Sequence, residues 1–289
     1  MKFRFIQANR STFRVVKMAI VLGVSESGYY AWAKRQSRGP NPRTVERETL
    51  RDRIFEIYTE SNCVYGSRKI TRILRRKYKM NVNHKRIENI MHDAGIRSKA
   101  SKKYKATTNS KHNLPVSENL LNRDFRAFGP NQKMVSDITY IRTDEGWLYL
   151  ASIMDLYGRK IVGMAMDSTM TKELVIRALV DAKSRIGKVK DCILHSDRGT
   201  QYCSRSYQNL LRASGFISSM SRKGNCWDNA PMESFWGKLK QEWLNEQHFK
   251  TRDEAKKAVF EYIWIFYNRK RAHAANDYMT PEEYYSQAA

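Results

Sequence analysis

"KMVSDITYIRTDEGWLYLASIMDLYGRKIVGMAMDS", residues 133 to 168, is the stretch that decides the fold. It contains three β-rich runs, 133–141, 147–156 and 160–168, which are separated by the turn-forming sequences "TDEG" and "YGR". Runs of β-branched and aromatic residues joined by tight turns are typical of antiparallel strands. We therefore predict a three-stranded antiparallel meander.

The residues after the meander alternate between helical and β patterns. We predict a helix near 172–185, a strand at 192–195, a helix near 205–213, a strand at 216–220, and long helical runs near 230–245 and 252–267. Three hairpin strands followed by alternating helices and strands indicate an α/β domain, with a mixed sheet and helices packed on it.

The first part of the chain has helical patterns only. Residues 12–36 predict two short helices around Gly23, with Ser25 as the cap of the second helix and with Tyr29, Tyr30 and Trp32 packing it. This outline fits a helix-turn-helix, and it fits any small helical hairpin equally well. Residues 38–43, "RGPNPR", break the pattern and indicate a linker.

A second helical region, from residue 45 to about 96, has one apolar and one basic side. The apolar residues recur at helical spacing and comprise Ile70, Ile73, Leu74, Ile87, Ile90 and Met91. The opposite side carries Arg68, Lys69, Arg72, Arg75, Arg76, Lys85 and Arg86. Because a merely solvated helix face normally mixes both signs of charge, this side favours contact with phosphate groups.

The overall charge points to the same class of partner. Lys and Arg outnumber Asp and Glu by 53 to 29, which gives a net charge of +24, and residues 1–112 hold 27 basic and 8 acidic residues. A field of this size attracts polyanions, so double-stranded DNA is the expected partner. A generic basic scaffold protein is the alternative that charge alone leaves open. Residues 97–112 hold six basic residues and no acid, which predicts a flexible basic connector.

Cysteine usage and hydropathy indicate the compartment. The four cysteines have no CxxC pairing, no apolar run reaches the roughly 18 residues of a membrane span, and the N-terminus lacks the order of a secretory signal. We therefore expect reduced thiols, no membrane association, and a cytoplasmic, DNA-containing location.

Three acidic residues stand out by position. Asp137 lies inside the first apolar strand, Asp197 directly follows the strand at 192–195, and Glu233 opens a helix after a cap at Asp228 or Asn229. Each has an ordinary alternative: an ion pair with an arginine, a turn before a glycine, and a favourable interaction with the helix dipole. Their coincidence in one sheet domain favours a shared site.

A shared site of this composition predicts a metal centre. Three neighbouring carboxylates need a cation to stay ionised together, and a set of oxygen ligands without His or Cys suggests two Mg²⁺ or Mn²⁺ ions for phosphodiester displacement. Lys240 follows Glu233 by two helical turns and Asn229 precedes it by one, so both lie on its helix face. Lys240 is placed to hold a DNA phosphate.

The chain closely resembles the DDE transposases of the insertion sequence 3 family. The resemblance rests on "SDITYI" around Asp137, "HSDRGTQY" around Asp197 and "SRKGNCWDNAPMESFWGKLKQE" at 221–242, and 35 residues separate Asp197 from Glu233. "YGSRKIT" (65–71) and "YNRKRAH" (267–273) resemble further segments of that family.

The resemblance implies an RNase H-like, retroviral-integrase fold preceded by small α-helical DNA-binding modules. It implies that Asp137, Asp197 and Glu233 are catalytic and bind two divalent metals. Cleavage of element ends and 3′-hydroxyl strand transfer through a circular intermediate would follow, without ATP or a covalent protein–DNA intermediate. Arg222, Lys223 and Asn225 become candidate DNA contacts in the loop before the helix of Glu233.

We accordingly predict five segments. They are a helix-turn-helix-like segment (1–37), a basic helical DNA-binding domain (44–100), a basic linker (101–127), an RNase H-like catalytic domain (128–275) and a C-terminal tail (276–289). The expected partners are the terminal inverted repeats and target DNA, further copies of the chain on DNA, and an upstream-frame product with a helix-turn-helix and a coiled coil.

The sequence leaves two questions open, the function of the chain and the roles of two tryptophans. The chain is either a transposase or a DNA-binding regulator whose catalytic domain is idle without the upstream product. A non-specific RNase H-like nuclease is a third interpretation, which the N-terminal helical modules disfavour. Trp227 and Trp236 are core residues, base-stacking groups, or one of each.

Overall fold

A computed structural model describes residues 1–37, 41–99, 115–223 and 225–288. The chain divides into two compact units, Met1–Ile57 and Tyr58–Ala289. The predicted linkers at 38–43 and 101–127 lie partly outside the described residues, and the predicted segment boundaries stay predictions.

The first unit is a small helical cluster around an aromatic core. It contains α1 (Lys2–Asn9), α2 (Val15–Val21), α3 (Glu26–Ser37) and most of α4 (Pro42–Glu60). Ile6, Met18 and Tyr29 are buried together, and the Ser25 hydroxyl accepts a hydrogen bond from the backbone of Gly28, as expected of a helix cap. Two expectations were incomplete: α1 was not predicted, and Tyr30 is exposed because it lies on the outer side of α3.

The second unit begins with the basic helices. These are α5 (Ser67–Lys77) and α6 (His84–Asp93), and together with α4 they confirm the helical region predicted from residue 45 to about 96. Ile70, Leu74, Ile87, Ile90 and Met91 are buried, as the apolar spacing predicts, whereas Ile73 is only partly buried.

A five-stranded mixed sheet forms the centre of the second unit. Its strands are β1 (Lys133–Thr143), β2 (Gly146–Asp155), β3 (Lys160–Asp167), β4 (Cys192–Ser196) and β5 (Phe216–Met220), in the order β3-β2-β1-β4-β5. The first three are antiparallel, and β4 and β5 run parallel to β1 and to each other. The predicted meander and mixed sheet are therefore confirmed.

Helices cover both faces of this sheet. On one face lie α7 (Lys172–Ile186), α8 (Thr200–Cys203) and α9 (Arg205–Ala213), and on the other lie α10 (Ala230–Leu239) and α11 (Arg252–Phe260). The π-helical segments Lys240–Leu244 and Glu261–Tyr267 continue α10 and α11. Along β1, Met134 packs with α7, whereas Val135 and Ile141 pack with α10 and α11. Since side chains alternate along a strand, Asp137 lies on the α10 side.

The flanks of the sheet domain are also attached to it. Residues predicted as linker contact β5, since the backbone of Leu120 donates to the Ser219 hydroxyl at 2.9 Å. Residues predicted as a tail include α12 (Pro281–Tyr285), from which the Tyr285 hydroxyl donates to the buried carboxylate of Asp155 at 3.1 Å. Within the described ranges no helix combines the length and apolarity that crossing a membrane requires. The described cysteines, Cys63, Cys192 and Cys203, form no disulfide.

A glycine on β3 sets how closely α7 approaches the sheet. A Cβ on Gly163 would lie 2.6 Å from the Ala178 carbonyl and 2.6 Å from the Ala182 methyl. We expect Gly163→Ala to lower the free energy of unfolding by about 1–3 kcal/mol, because backbone must move to admit the methyl group. Gly237→Ala on α10 meets nothing within 4 Å and should instead raise it by about 0.5–1 kcal/mol. Urea unfolding checks both, and equal effects would contradict the close packing of α7.

Candidate active site

Two of the predicted acids lie level on neighbouring parallel strands. The pairing of β1 with β4 aligns Lys133 with Ile193 and Val135 with His195. Continued for two residues, this register brings Asp197, just beyond the end of β4, level with Asp137. Neighbouring strands lie about 4.8 Å apart. The parallel register therefore brings the two carboxylates together at the C-terminal end of β4, beside the central strand β1.

The third acid is carried by a helix that is attached to the same strand. The Asn229 amide donates to the Ser136 carbonyl at 3.1 Å, and Trp236 Nε1 donates to Asp137 Oδ2 at 3.0 Å. Glu233 lies between these two attachments, four residues after the first and three before the second. These spacings put all three residues on one helix face, so Glu233 is on the side of α10 that faces Asp137.

The electrostatics of Asp137 show the influence of the other two carboxylates. Burial, followed by the negative charge of Asp197 and more weakly by that of Glu233, raises the pKa of Asp137 to about 8. The hydrogen bond from Trp236 opposes this shift because it favours the ionised form. Burial also raises the pKa of Glu233, although its side chain is largely exposed.

The three side chains do not form a closed ligand set as they stand. Across the described residues, no three His, Cys, Asp or Glu side chains are grouped closely enough to hold one ion. Asp137 and Asp197 are half-buried, and Asp197 Oδ1 accepts from the backbone of Gly199 at 2.8 Å. Glu233 is the exposed member, consistent with its weaker effect on Asp137.

Lys240 reaches back over β1. Its side chain is only 7% exposed, and its ammonium lies 4.9 Å from the centroid of the Tyr140 ring, three residues beyond Asp137. Burial lowers the pKa of Lys240 to about 8, while the charge of Asp137 opposes that shift. A cation thus lies beside the acidic edge of the sheet.

The two tryptophans have different environments. Trp236 is 7% exposed, packs in the core between sheet and α10, and donates to Asp137. Trp227 is 68% exposed on the 3₁₀ turn Cys226–Asn229. Trp236 is therefore a core residue whose N–H also holds the Asp137 carboxylate, whereas Trp227 presents its ring to solvent, and stacking of Trp227 on a base stays a prediction.

Asp228 organises the loop before α10, which sequence reasoning missed. Its carboxylate has no exposed surface and accepts from both Arg222 side-chain nitrogens (2.9 and 2.7 Å), from Arg123 (2.9 Å) and from Asn119 (3.0 Å). These charge-assisted bonds hold the pKa of Asp228 well below its usual range. Of the two predicted caps, Asn229 occupies the N-cap position of α10, without a capping hydrogen bond from its side chain, whereas the Asp228 carboxylate makes ion pairs.

The same network changes the roles of two predicted DNA contacts. Arg222 is bound by Asp228, and Asn225 accepts from Arg123 at 3.0 Å. Both therefore shape the loop, while Lys223 is exposed. Asn119, which donates to Asp228, and Arg123, which donates to Asp228 and Asn225, lie about 100 residues away along the chain, and no local sequence pattern reports such pairings.

The other acids of the β1–β3 meander have partners of their own. Asp155 is buried and accepts from the backbones of Asn131 and Tyr157. The remaining acids pair at the surface: Asp144 with His248, Glu145 with Arg252, and Asp167 with Arg177. These partners are outside the set of Asp137, Asp197 and Glu233.

The basic candidates on α5 and α6 fall into two groups. Arg68, Lys85 and Arg86 are exposed. Lys69 is half-buried, with its ammonium 4.3 Å from the Tyr65 ring centroid, and Arg72 lies over the Tyr278 ring. Arg72 remains exposed while it contacts Tyr278, so part of the basic face of α5 lies beside the C-terminal segment.

Comparison with known proteins gives a consistent picture. Two integrase core domain families match residues 128–226 and 233–288, and an HTH-like domain family matches 45–104. The IS600 uncharacterized 31 kDa protein of Shigella sonnei is 45% identical over 94% of this chain and 100% of its own length. The transposase InsF for insertion sequence IS3A of Escherichia coli (strain K12) is 41% identical over 98% of both chains. The HTLV-2 integrase catalytic core domain, solved in complex with magnesium, is 18% identical, covers 55% of this chain and 99% of its own, and has a TM-score of 0.43.

The Asp228 network gives a prediction about acid stability. Because the folded pKa of Asp228 is depressed, its stabilising contribution is complete above the unfolded value of about 3.9 and is lost as pH falls below it. We expect Asp228→Asn to lower the free energy of unfolding at pH 7 by about 2 kcal/mol or more, and to flatten its decline below pH 5.

A matched control is available on α11. Asp253 forms an exposed pair with Lys256, so Asp253→Asn should change stability by less than about 0.5 kcal/mol. Urea unfolding between pH 3 and 7 provides the measurement. An unchanged pH dependence in Asp228→Asn would contradict the assigned network.

Proposed function

The chain belongs to the insertion sequence 3 family of transposases and has an RNase H-like integrase core, and on that premise we propose that it cleaves the DNA ends of an insertion element and transfers the freed 3′-hydroxyl to another phosphodiester. The observation that carries the proposal is the meeting of Asp137, Asp197 and Glu233 at one edge of the sheet. Two are aligned by the β1–β4 register, and the third is presented by a helix attached to β1.

The donor set fits a hard divalent cation. Its donors are carboxylate oxygens, and burial, followed by their repulsion, raises the pKa of Asp137, a destabilisation of the ionised form that a bound cation removes. We assign Asp137, Asp197 and Glu233 as the ligands of two Mg²⁺ or Mn²⁺ ions, with the exposed Glu233 side chain turning inward to complete the set. When bound, such ions lower the pKa of water and neutralise charge on the leaving oxygen.

The chain's own residues would position the DNA. Lys240 lies beside Asp137 and is placed to contact a non-bridging phosphate oxygen of the reacting strand. Trp236 fixes the orientation of the Asp137 carboxylate, and the Asn229 amide fixes the start of α10. Among the described residues, Asn229 Oδ1 is buried without a hydrogen-bond partner, so it can accept from a group delivered with the substrate.

Two chemical steps follow from this arrangement. A water oxygen attacks phosphorus at the element end, the P–O3′ bond breaks, and the 3′ oxygen leaves as a hydroxyl. That hydroxyl then attacks a second phosphodiester, one P–O bond replaces another, and no ATP or covalent protein–DNA intermediate is needed. We propose that the first joining is between the two ends of the element, giving a circular intermediate that later inserts into target DNA.

Further contacts in the proposed complex come from the remaining basic and aromatic groups. Arg68, Lys85 and Arg86 are exposed on the helices that precede the sheet, and Lys223 and Trp227 are exposed in the loop before α10. The basic side chains suit contact with phosphate groups, and the exposed indole of Trp227 suits stacking on a base. We further propose a homo-oligomer on the DNA, with the upstream-frame product as a possible additional component.

Substitution of the carboxylates tests the assignment. We expect Asp137→Asn, Asp197→Asn and Glu233→Gln each to reduce 3′-end nicking and strand transfer at least about 100-fold with Mg²⁺ or Mn²⁺, because each removes a ligand that stabilises transition-state charge. Labelled element-end DNA on sequencing gels measures both products. Duplex binding should persist, since the phosphate contacts lie elsewhere.

Asp144→Asn is the matched control for these variants. Asp144 is an exposed turn residue paired with His248, so nicking should be unchanged. Full activity in Glu233→Gln would overturn the mechanism. Binding without nicking by the unsubstituted chain, even with the upstream-frame product added, would favour the regulator instead, and equal cleavage of unrelated duplex would favour a non-specific nuclease.

Metal binding should release a proton. Because the pKa of Asp137 is raised to about 8, the metal-free carboxyl is mostly protonated at pH 7 and must ionise to bind a cation. Apparent Mn²⁺ affinity should therefore rise from pH 6 to 8 and level off above pH 9. Calorimetry at pH 7 in two buffers of different ionisation enthalpy should show proton release that disappears near pH 9. Release that is independent of pH would contradict the raised pKa.

A further inference from the structure

Four half-buried basic side chains of the second unit, outside the carboxylate site, lie close enough for their charges to repel one another. They are Lys69 on α5, Arg159 in the turn between β2 and β3, Lys238 on α10 and His273 after the second π-helical segment; we call them the basic cluster. These four residues lie far apart along the chain, and only the tertiary structure brings them together.

Two tyrosines hold the cluster in place. The Tyr267 hydroxyl donates to the Arg159 carbonyl at 3.1 Å, and its ring lies 6.4 Å from that of His273. The Tyr65 ring lies 4.3 Å from the Lys69 ammonium, and its hydroxyl accepts from the backbone of Ala272 at 2.7 Å. The cluster is therefore built on rigid, buried aromatic residues, which is how binding groups are kept pre-organised.

The charge of the cluster is not balanced by acids. Glu242 is buried nearby, but its two oxygens accept from the Arg271 guanidinium and from the Tyr262 hydroxyl. Among the residues that the structure describes, no carboxylate lies within ion-pair distance of Lys69, Arg159 or Lys238. The Lys238 ammonium donates to the Ser234 hydroxyl at 2.8 Å, a neutral partner.

The titration of the cluster reflects this imbalance. Burial and then repulsion by Arg271 lower the pKa of Lys69 to about 7 and that of Lys238 to about 8. Burial and then repulsion by Lys238 lower the pKa of His273 to about 3, so its ring is neutral. Since His273 Nδ1 accepts from the backbone of Ala275, its proton is on Nε2, which can donate. An anion that enters the cluster would relieve the repulsion and restore the ordinary pKa values.

We propose that the basic cluster is a phosphate-binding site that holds a backbone phosphate of the DNA, separate from the reacting one. Lysine, arginine and a neutral histidine N–H together offer the donors that tetrahedral phosphate oxygens accept. A metal ion is excluded as the ligand because the groups are cationic.

Lys238 follows Glu233 by five residues, which is about 7.5 Å along the axis of α10 and about 140° around it, so the two side chains leave α10 on different faces. The phosphate bound by the cluster is therefore a second contact with the DNA, separate from the phosphate that reacts at Glu233. The assignment to DNA rests on the proposed function, whereas the phosphate site itself does not.

Inorganic phosphate tests the site without DNA or metal. At constant ionic strength, phosphate should raise the melting temperature of the full chain relative to chloride, and this increase should fall by at least half in Lys238→Gln and in Lys69→Gln. Lys190→Gln removes the same charge from an exposed position before β4 and should keep the full increase. In ¹³C-lysine NMR titrations, phosphate should raise the pKa values of Lys69 and Lys238 back toward their ordinary value. An equal melting increase in all four proteins, with unchanged lysine titrations, would overturn the proposal.

Duplex binding separates a DNA phosphate from a free one. If the cluster holds DNA, the slope of log affinity against log salt should be smaller by about one in Lys238→Gln than in Lys190→Gln. Loss of phosphate stabilisation with an unchanged slope would overturn the DNA assignment and identify free phosphate or a phosphate monoester as the ligand. A chain that binds phosphate but never nicks element ends would reject the proposed function and leave the phosphate site standing.

Discussion

The parallel pairing of β1 with β4 is the constraint on which the candidate site depends. Its register brings Asp197 level with Asp137 across neighbouring strands, and a slip of one residue would send one carboxylate to the opposite face of the sheet. The antiparallel pairing of β1 with β2 on the other side holds β1 in the interior of the sheet. The two carboxylates are therefore fixed by backbone hydrogen bonds and not by the packing of flexible loops.

The attachment of α10 to β1 adds the third acid and uses the same strand. Trp236 serves the hydrophobic core and the Asp137 carboxylate at once, so packing and chemistry are coupled in one side chain. The ring contributes buried apolar surface, and its N–H favours the ionised form of Asp137 and so limits the rise in pKa that burial causes. This opposition leaves Asp137 ready to exchange a proton for a cation.

Buried charge is handled in two different ways around this site. Asp228 and Glu242 are fully engaged by arginines, and they hold the loop before α10 and the two π-helical segments in place. By contrast, the site of Asp137, Asp197 and Glu233 gathers acidic side chains, and the basic cluster gathers basic ones. Gathering like charges costs stability, and in proteins such arrangements are concentrated at sites that bind ions or substrates.

The sequence by itself determined the strands, most helices, the mixed sheet and the three acids that stand out by position. These are set by local patterns: alternation along strands, apolar spacing along helices, turn residues, and a charge placed in an apolar run. The sequence missed α1, the π-helical ends of α10 and α11, the exposure of Tyr30 and the network around Asp228. Only the tertiary structure decided which tryptophan is buried, which basic residues of α5 turn toward the C-terminal segment, and that Lys69, Lys238 and Arg159 meet. Those outcomes depend on contacts between residues from about 80 to more than 200 positions apart, for which no local periodicity carries a signal.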